Sequence, residues 1–139
     1  MGARVSTLVN GLRVVSLNMP ALETVSVGVY ANVGTRFEDR GQIGISHMFE
    51  HMVFKGTYDR SARQIAEEIE AVGGHLNAYT TRDMTAYYAR VLKADLGLAV
   101  DMLSDLLLNA RFTPEEVERE KDVICQEIGQ SNDTPDDII

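Results

Sequence analysis

Apolar and polar positions alternate along Arg4–Val9 and Leu12–Asn18, with Asn10-Gly11 between the two runs. That dipeptide accepts the positive φ values of a tight turn, so the pattern predicts a β-hairpin. Thr24–Val33 mixes small, apolar and β-branched residues and reads as a third strand, followed by a charged loop from Gly34 to Gly41. The repeat then lengthens to that of a helix, predicted over Ile43–Phe54 and closed by Gly56. Ser61 and Gln64 have the spacing of a capping box and open a helix that ends at Gly73-Gly74. His75–Thr81 and Met84–Val91 form a second strand pair, joined through Arg82-Asp83. An apolar helix covers Ala94 to Asn109. Thr113-Pro114-Glu115-Glu116 then places a capping threonine, a proline and a glutamate at the start of a last helix, running to about Gly129. This order of hairpins and helices predicts an α+β fold, with helices packed on a largely antiparallel sheet.

Composition narrows the functional classes. The chain has 139 residues, 45% of them hydrophobic, enough for one ordinary domain with a real core. A net charge of −8 argues against nucleic acid or an anionic membrane surface as the main partner. No apolar run approaches the roughly 20 residues of a membrane span. The first residues show neither an export signal nor a transit pattern, which points to the bacterial cytoplasm, with the mitochondrial matrix as the alternative for a processed form. A single cysteine, Cys125, leaves no intrachain disulfide. The last residues, Thr134-Pro-Asp-Asp-Ile-Ile139, follow a strong helix and end apolar, so the expectation is the N-terminal part of something longer.

The first predicted helix carries the chemistry. With His47 at zero and about 100° per residue, Met48, Met52, Ile45, Phe49 and Val53 fill the arc from about 100° to about 240°. Ile43 and Phe54 lie near 320° and 340°, so apolar side chains occur nearly all round and predict a helix buried on most sides. Glu50, His47 and His51 share the remaining arc, at about 300°, 0° and 40°. Histidines four residues apart point the same way one turn apart, which suits two imidazoles reaching one metal. Glu50 is placed beside them without needing to be a ligand, where a base must be to take a proton from water at the metal. A buried His–Glu hydrogen-bond network without metal would leave two ring nitrogens to be satisfied otherwise.

A catalytic zinc site usually takes three protein ligands and keeps one position open. His75, the only other histidine, sits at a strand end and reads as a surface residue. Cys125 lies off the inner arc of the last helix and reads as packing. On that helix Val117, Ile124, Ile128 and Val123 define an inner face, and Glu116, Glu120 and Glu127 fall within it. Glu120 and Glu127 are two turns apart on one stripe. One could bind metal while the other supports it, and periodicity does not choose between them.

His47-Met-Phe-Glu50-His51, with Gly44-Ile45-Ser46 before it and Met52-Val-Phe-Lys-Gly-Thr57 after it, resembles the inverted-zincin signature of the pitrilysin/insulinase (M16) metallopeptidases. The resemblance continues through Arg60–Leu92 and Glu118–Ile128, covers essentially the whole chain, and is closest to the processing-peptidase branch. It implies a Zn2+-dependent endopeptidase with one zinc per chain, held by His47, His51 and a glutamate about 75 residues beyond the second histidine, which is Glu127. Glu120, two turns earlier, is then the supporting acid. The resemblance also implies that the strand carrying Asn77, Ala78 and Tyr79 pairs with an extended peptide or unfolded polypeptide substrate. From the residues alone the same strand reads as ordinary sheet. The family is built from two related domains, in one chain or on a partner subunit. Residues 1–139 would therefore be the N-terminal part of the first, zinc-binding domain, inactive alone, with a homodimer as one possible assembly. The alternative is a non-catalytic scaffold or partner subunit of the same fold, although such relatives usually lose ligands.

Overall fold

A computed structural model describes residues 2–133. The chain end at 134–139, on which the expectation of a longer protein rests, lies outside the described residues. The architecture is α+β, with antiparallel strand pairs and helices on one face of the larger sheet. Strand β1 (Arg4–Thr7) and β2 (Arg13–Ser16) form a two-stranded hairpin turning at Gly11, whose φ is 87°. Both strands are exposed along their whole length and stand apart from the main sheet.

The main sheet has the order β3-β5-β4, from β3 (Thr24–Ala31), β5 (Thr85–Leu92) and β4 (His75–Thr80). The central strand, β5, pairs with both neighbours, while β4 pairs with β5 alone among the described residues. Odd-numbered residues of β5, Thr85 to Val91, face the helices, and Tyr87, Ala89 and Val91 belong to the core. The helix layer contributes Val53, Ile65, Ile69, Ala99, Met102, Leu103 and Leu106 to the same cluster. These come from α2 (Ala62–Ala71), α3 (Leu96–Leu108) and a 3-10 turn over Val53–Lys55. The capping box of α2 forms as its sequence predicts. Ser61 Oγ accepts from the Gln64 N–H at 3.3 Å, and Gln64 Oε1 accepts from the Ser61 N–H at 2.9 Å.

Helix α1 spans Ile45–Met52, two residues shorter at each end than its pattern suggests. At its start Gly44 takes the left-handed conformation, φ 90°, which ejects Ile43 from the helix. At its end the backbone tightens into the 3-10 turn. The expected burial on most sides is not observed. Met52 is buried, but Ile45 is 54% and Phe49 38% exposed, because only part of the helix surface meets β4 and the last helix.

That helix, α4 (Pro114–Asp133), begins where its cap predicts, with Thr113 Oγ1 accepting from the Glu116 N–H at 3.4 Å. Its inner face is narrower than the periodicity implied. Glu120 and Ile124 are buried, whereas Val123 and Ile128 are 39% and 54% exposed. Cys125 is an exposed free thiol and not a packing residue. The apolar stripe extends beyond the part of the helix that meets α1. Periodicity alone reports the stripe and not the extent of its partner.

The segment before α1 is fixed from outside. Thr35 and Arg36 donate their N–H groups to the carbonyls of Thr81 and Arg82 at 3.1 and 3.0 Å. The approach is so close that a Cβ on Gly34 would stand 2.5 Å from the Thr81 oxygen, which explains glycine there. Glu38, at the end of this loop, accepts from the N–H groups of Gly44 and Ser46 at 2.7 and 2.9 Å. It thereby caps the first turn of α1 with a negative charge. Burial raises its pKa, but these hydrogen bonds outweigh that effect and hold the carboxyl below its ordinary value.

Candidate metal centre

Helices α1 and α4 pack together and bring three donors to one place. His47 and His51 project from successive turns of α1, with their Nε2 atoms 3.1 Å apart. Glu127 Oε2 approaches from α4, 3.4 Å from His47 Nε2 and 3.5 Å from His51 Nε2. Among the described residues this is the one His/Cys/Asp/Glu group compact enough to hold a metal. The triangle has a chemical meaning. Bonds of about 2.0–2.1 Å at a tetrahedral zinc place neighbouring donors about 3.3–3.4 Å apart. Edges of 3.1, 3.4 and 3.5 Å match that spacing.

Hydrogen bonding strengthens the match. Nδ1 of His51 lies 3.1 Å from Glu120 Oε2, and because a carboxylate only accepts, the ring donates from Nδ1. Its Nε2 is directed at His47 Nε2 and the Glu127 carboxylate. A single cation placed among these three atoms would be served by all of them at once. The donor set therefore fits a divalent metal of the zinc type.

Glu120 is buried, at 4% exposure, and its other oxygen lies 2.6 Å from Lys55 Nζ. Burial raises its pKa, but the hydrogen bonds from Lys55 and His51 more than offset this, so the carboxyl is held below its ordinary value and stays ionised. Glu50 is partly buried on α1, and among the described residues its side chain makes no hydrogen bond or ion pair. Its carboxylate is left uncommitted on the helix that carries both histidines. Near it lies Tyr87 of β5, whose ring meets Phe49 edge-on at 6.3 Å. Burial first, and the Glu50 charge second, push the Tyr87 phenol up to about 12, so it remains a neutral donor.

The remaining sequence candidates lie on or near β4. Asn77 is exposed and its Oδ1 accepts from the Ala78 N–H at 2.9 Å; Ala78 is buried, and Tyr79 is 38% exposed. They sit on the strand whose outer edge is unpaired among the described residues. Thr80, at the end of that strand, donates from Oγ1 to the Ser46 carbonyl at 3.4 Å, tying β4 to the first turn of α1. His75 is exposed beside Tyr88, outside the donor cluster. Two residues of the site were not found by sequence reasoning, Glu38 and Lys55. Lys55 had one available signal: it follows the second histidine by one helical turn.

The α+β domain thus sets two histidines and one carboxylate, a donor set able to hold a metal, between two helices. Residues 13–139 match the family model described as insulinase (peptidase family M16). An uncharacterized zinc protease of Rickettsia felis is 48% identical over 135 residues, covering 97% of this chain and 33% of the relative. A probable mitochondrial-processing peptidase subunit beta of Arabidopsis thaliana is 45% identical over 136 residues, covering 98% of this chain and 26% of the relative. A protease from Helicobacter pylori, known from its crystal structure, superposes with a TM-score of 0.85 at 31% identity, over 91% of this chain and 30% of that one. The chain belongs to the insulinase family of peptidases, M16. It spans about a third or less of the length of these relatives. No described helix is long and apolar enough to cross a membrane.

Proposed function

We propose that the protein carrying this chain is a zinc-dependent endopeptidase, and that residues 1–139 are the N-terminal part of its zinc-binding domain. His47, His51 and Glu127 would hold one zinc ion per chain. The observation that carries this reading is the triangle of donors at 3.1–3.5 Å, with Nδ1 of His51 already committed to Glu120. Bound there, zinc would supply Lewis acidity to a scissile carbonyl and to the attacking water. Glu50 is the general base: its free carboxylate takes the proton of the water and returns it to the leaving amine. Glu120 holds the His51 ring in the tautomer that offers Nε2.

An extended peptide would add to the open edge of β4, with main-chain hydrogen bonds along Asn77, Ala78 and Tyr79. A groove of about 320 Å³ beside this strand, walled by Phe54, Ile65, Ile69 and Leu76, offers room for an apolar side chain. The rest of the substrate site would come from a second domain, in the same chain or on a partner subunit, with a homodimer as one form of that assembly. The expected compartment is the bacterial cytoplasm, with the mitochondrial matrix as the alternative.

A quenched fluorogenic peptide tests the reaction. Full-length protein is expected to cleave it, to stop when zinc is chelated and to recover when zinc is returned. Cleavage that ignores the chelator contradicts the reading. Zinc-loaded protein that cleaves no peptide supports the alternative, a scaffold or partner subunit.

A further inference from the structure

The carboxylate of Glu120 is held from two sides. Oε2 faces His51 Nδ1 at 3.1 Å, and Oε1 faces Lys55 Nζ at 2.6 Å. Lys55 closes the 3-10 turn after α1, and its side chain is 32% exposed against 5% for Glu120. A lysine on a free loop would be a weak and mobile partner for a buried acid. This loop is not free. The Gly56 carbonyl accepts from the Arg111 N–H at 2.9 Å, and Tyr58 donates its N–H to Asn109 at 3.1 Å. Thr57 and Ala110 form an isolated β-bridge. Beneath them, Thr57 Oγ1 and Arg60 Nη1 each donate to Asp105 Oδ2 at 2.8 Å. The strap that carries Lys55 is thus sewn to the connection leading from α3 into α4, the helix that carries Glu120 and Glu127.

We propose that Lys55 is a positioning residue for the metal centre, fixing the His51 ring through Glu120. The inference rests on the zinc site proposed above. Without the ammonium group, Oε1 of a buried carboxylate loses its charge partner, and the carboxylate is no longer pinned at the angle that meets Nδ1 of His51. The ring is then free to turn its Nε2 away from His47 and Glu127. Outer partners of this kind typically change metal affinity about 10–100-fold.

Zinc affinity of the full chain, measured by competition with a chromophoric chelator, tests this. Lys55→Met is expected to bind zinc about 10–100-fold more weakly than the wild type, and Lys55→Arg to recover most of the loss. In a Glu120→Gln background the Lys55→Met change should add nothing, because Lys55 acts through Glu120. A purely packing role for Lys55 would not produce that silence. Lys55→Met affinity equal to wild type, or losses that add in the double variant, overturns the proposal. If Lys55→Met gives no cooperative melt, Lys55→Gln is measured in its place with the same expected loss. Failure of both to fold makes the role structural and also overturns it. Wild-type protein that takes up no zinc removes the proposed centre itself, an outcome distinct from wild type and Lys55→Met binding equally well.

Discussion

Replacing Glu50 by glutamine in the full-length protein is expected to lower the rate of peptide hydrolysis by about 10²–10⁴-fold or more, while the zinc content stays at that of the wild type. The two halves of this result have separate causes. Glutamine fills the same volume on α1 and cannot accept a proton, so the base is lost. The three donors belong to His47, His51 and Glu127, and among the described residues none of them is hydrogen-bonded to Glu50. The cluster therefore keeps its geometry. Hydrolysis at the wild-type rate in Glu50→Gln would assign the base elsewhere. Loss of zinc together with activity would make Glu50 part of the metal site.

The largest effect on stability is expected at Asp105, away from the metal. Asp105 is 5% exposed and accepts from Thr57 Oγ1 and Arg60 Nη1 at 2.8 Å, and from Asn109 Nδ2 at 2.9 Å. Arg60 also reaches Glu68 and Asp101, and hydrogen bonding to Asp105 and then Asp101 raises its pKa. Removing one partner of a buried pair leaves the other uncompensated, which costs about 3–5 kcal/mol. Because Arg60 keeps two other carboxylates, Asp105→Ala should lie at the lower end, about 3 kcal/mol, in thermal or urea unfolding. A change near zero would show that the cluster is solvated and not buried.

The same residue predicts a pH dependence. Burial raises the Asp105 pKa, but hydrogen bonds from Asn109, Arg60 and Thr57 outweigh it, so the folded-state value lies below the ordinary one. Its contribution to stability is therefore complete above the unfolded carboxyl's pKa, about 4, and is lost as pH falls through the lower folded value. Wild type should lose more stability than Asp105→Asn below about pH 4. Parallel profiles would contradict this assignment.

What the sequence made legible was mostly local. The turn at Asn10-Gly11, the capping box of Ser61 and Gln64, and the cap at Thr113 each involve residues within a few positions of one another, and each is present. The i, i+4 pair of His47 and His51 is local as well, and the helix alone sets its two rings on one face. The choice between Glu120 and Glu127 was not local, because both lie on one stripe of α4. In the structure Glu127 stands at the donor triangle and Glu120 behind His51. Glu38, Lys55 and the Arg60–Asp105 cluster were invisible because their partners are brought by the fold. His51 and Glu120 are 69 positions apart, and Arg60 and Asp105 45. Helical periodicity misled where it assumed a partner along the whole helix, as at Val123, Ile128 and the exposed faces of Ile45 and Phe49.

Whether His47, His51 and Glu127 hold one zinc ion decides the proposed function. Crystals grown with zinc and measured above and below its absorption edge test it directly. One anomalous peak per chain is expected, at about 2.0–2.2 Å from Nε2 of His47, Nε2 of His51 and a carboxylate oxygen of Glu127. Zinc-replete crystals with no peak between α1 and α4, or with the ion bound by other residues, would contradict it.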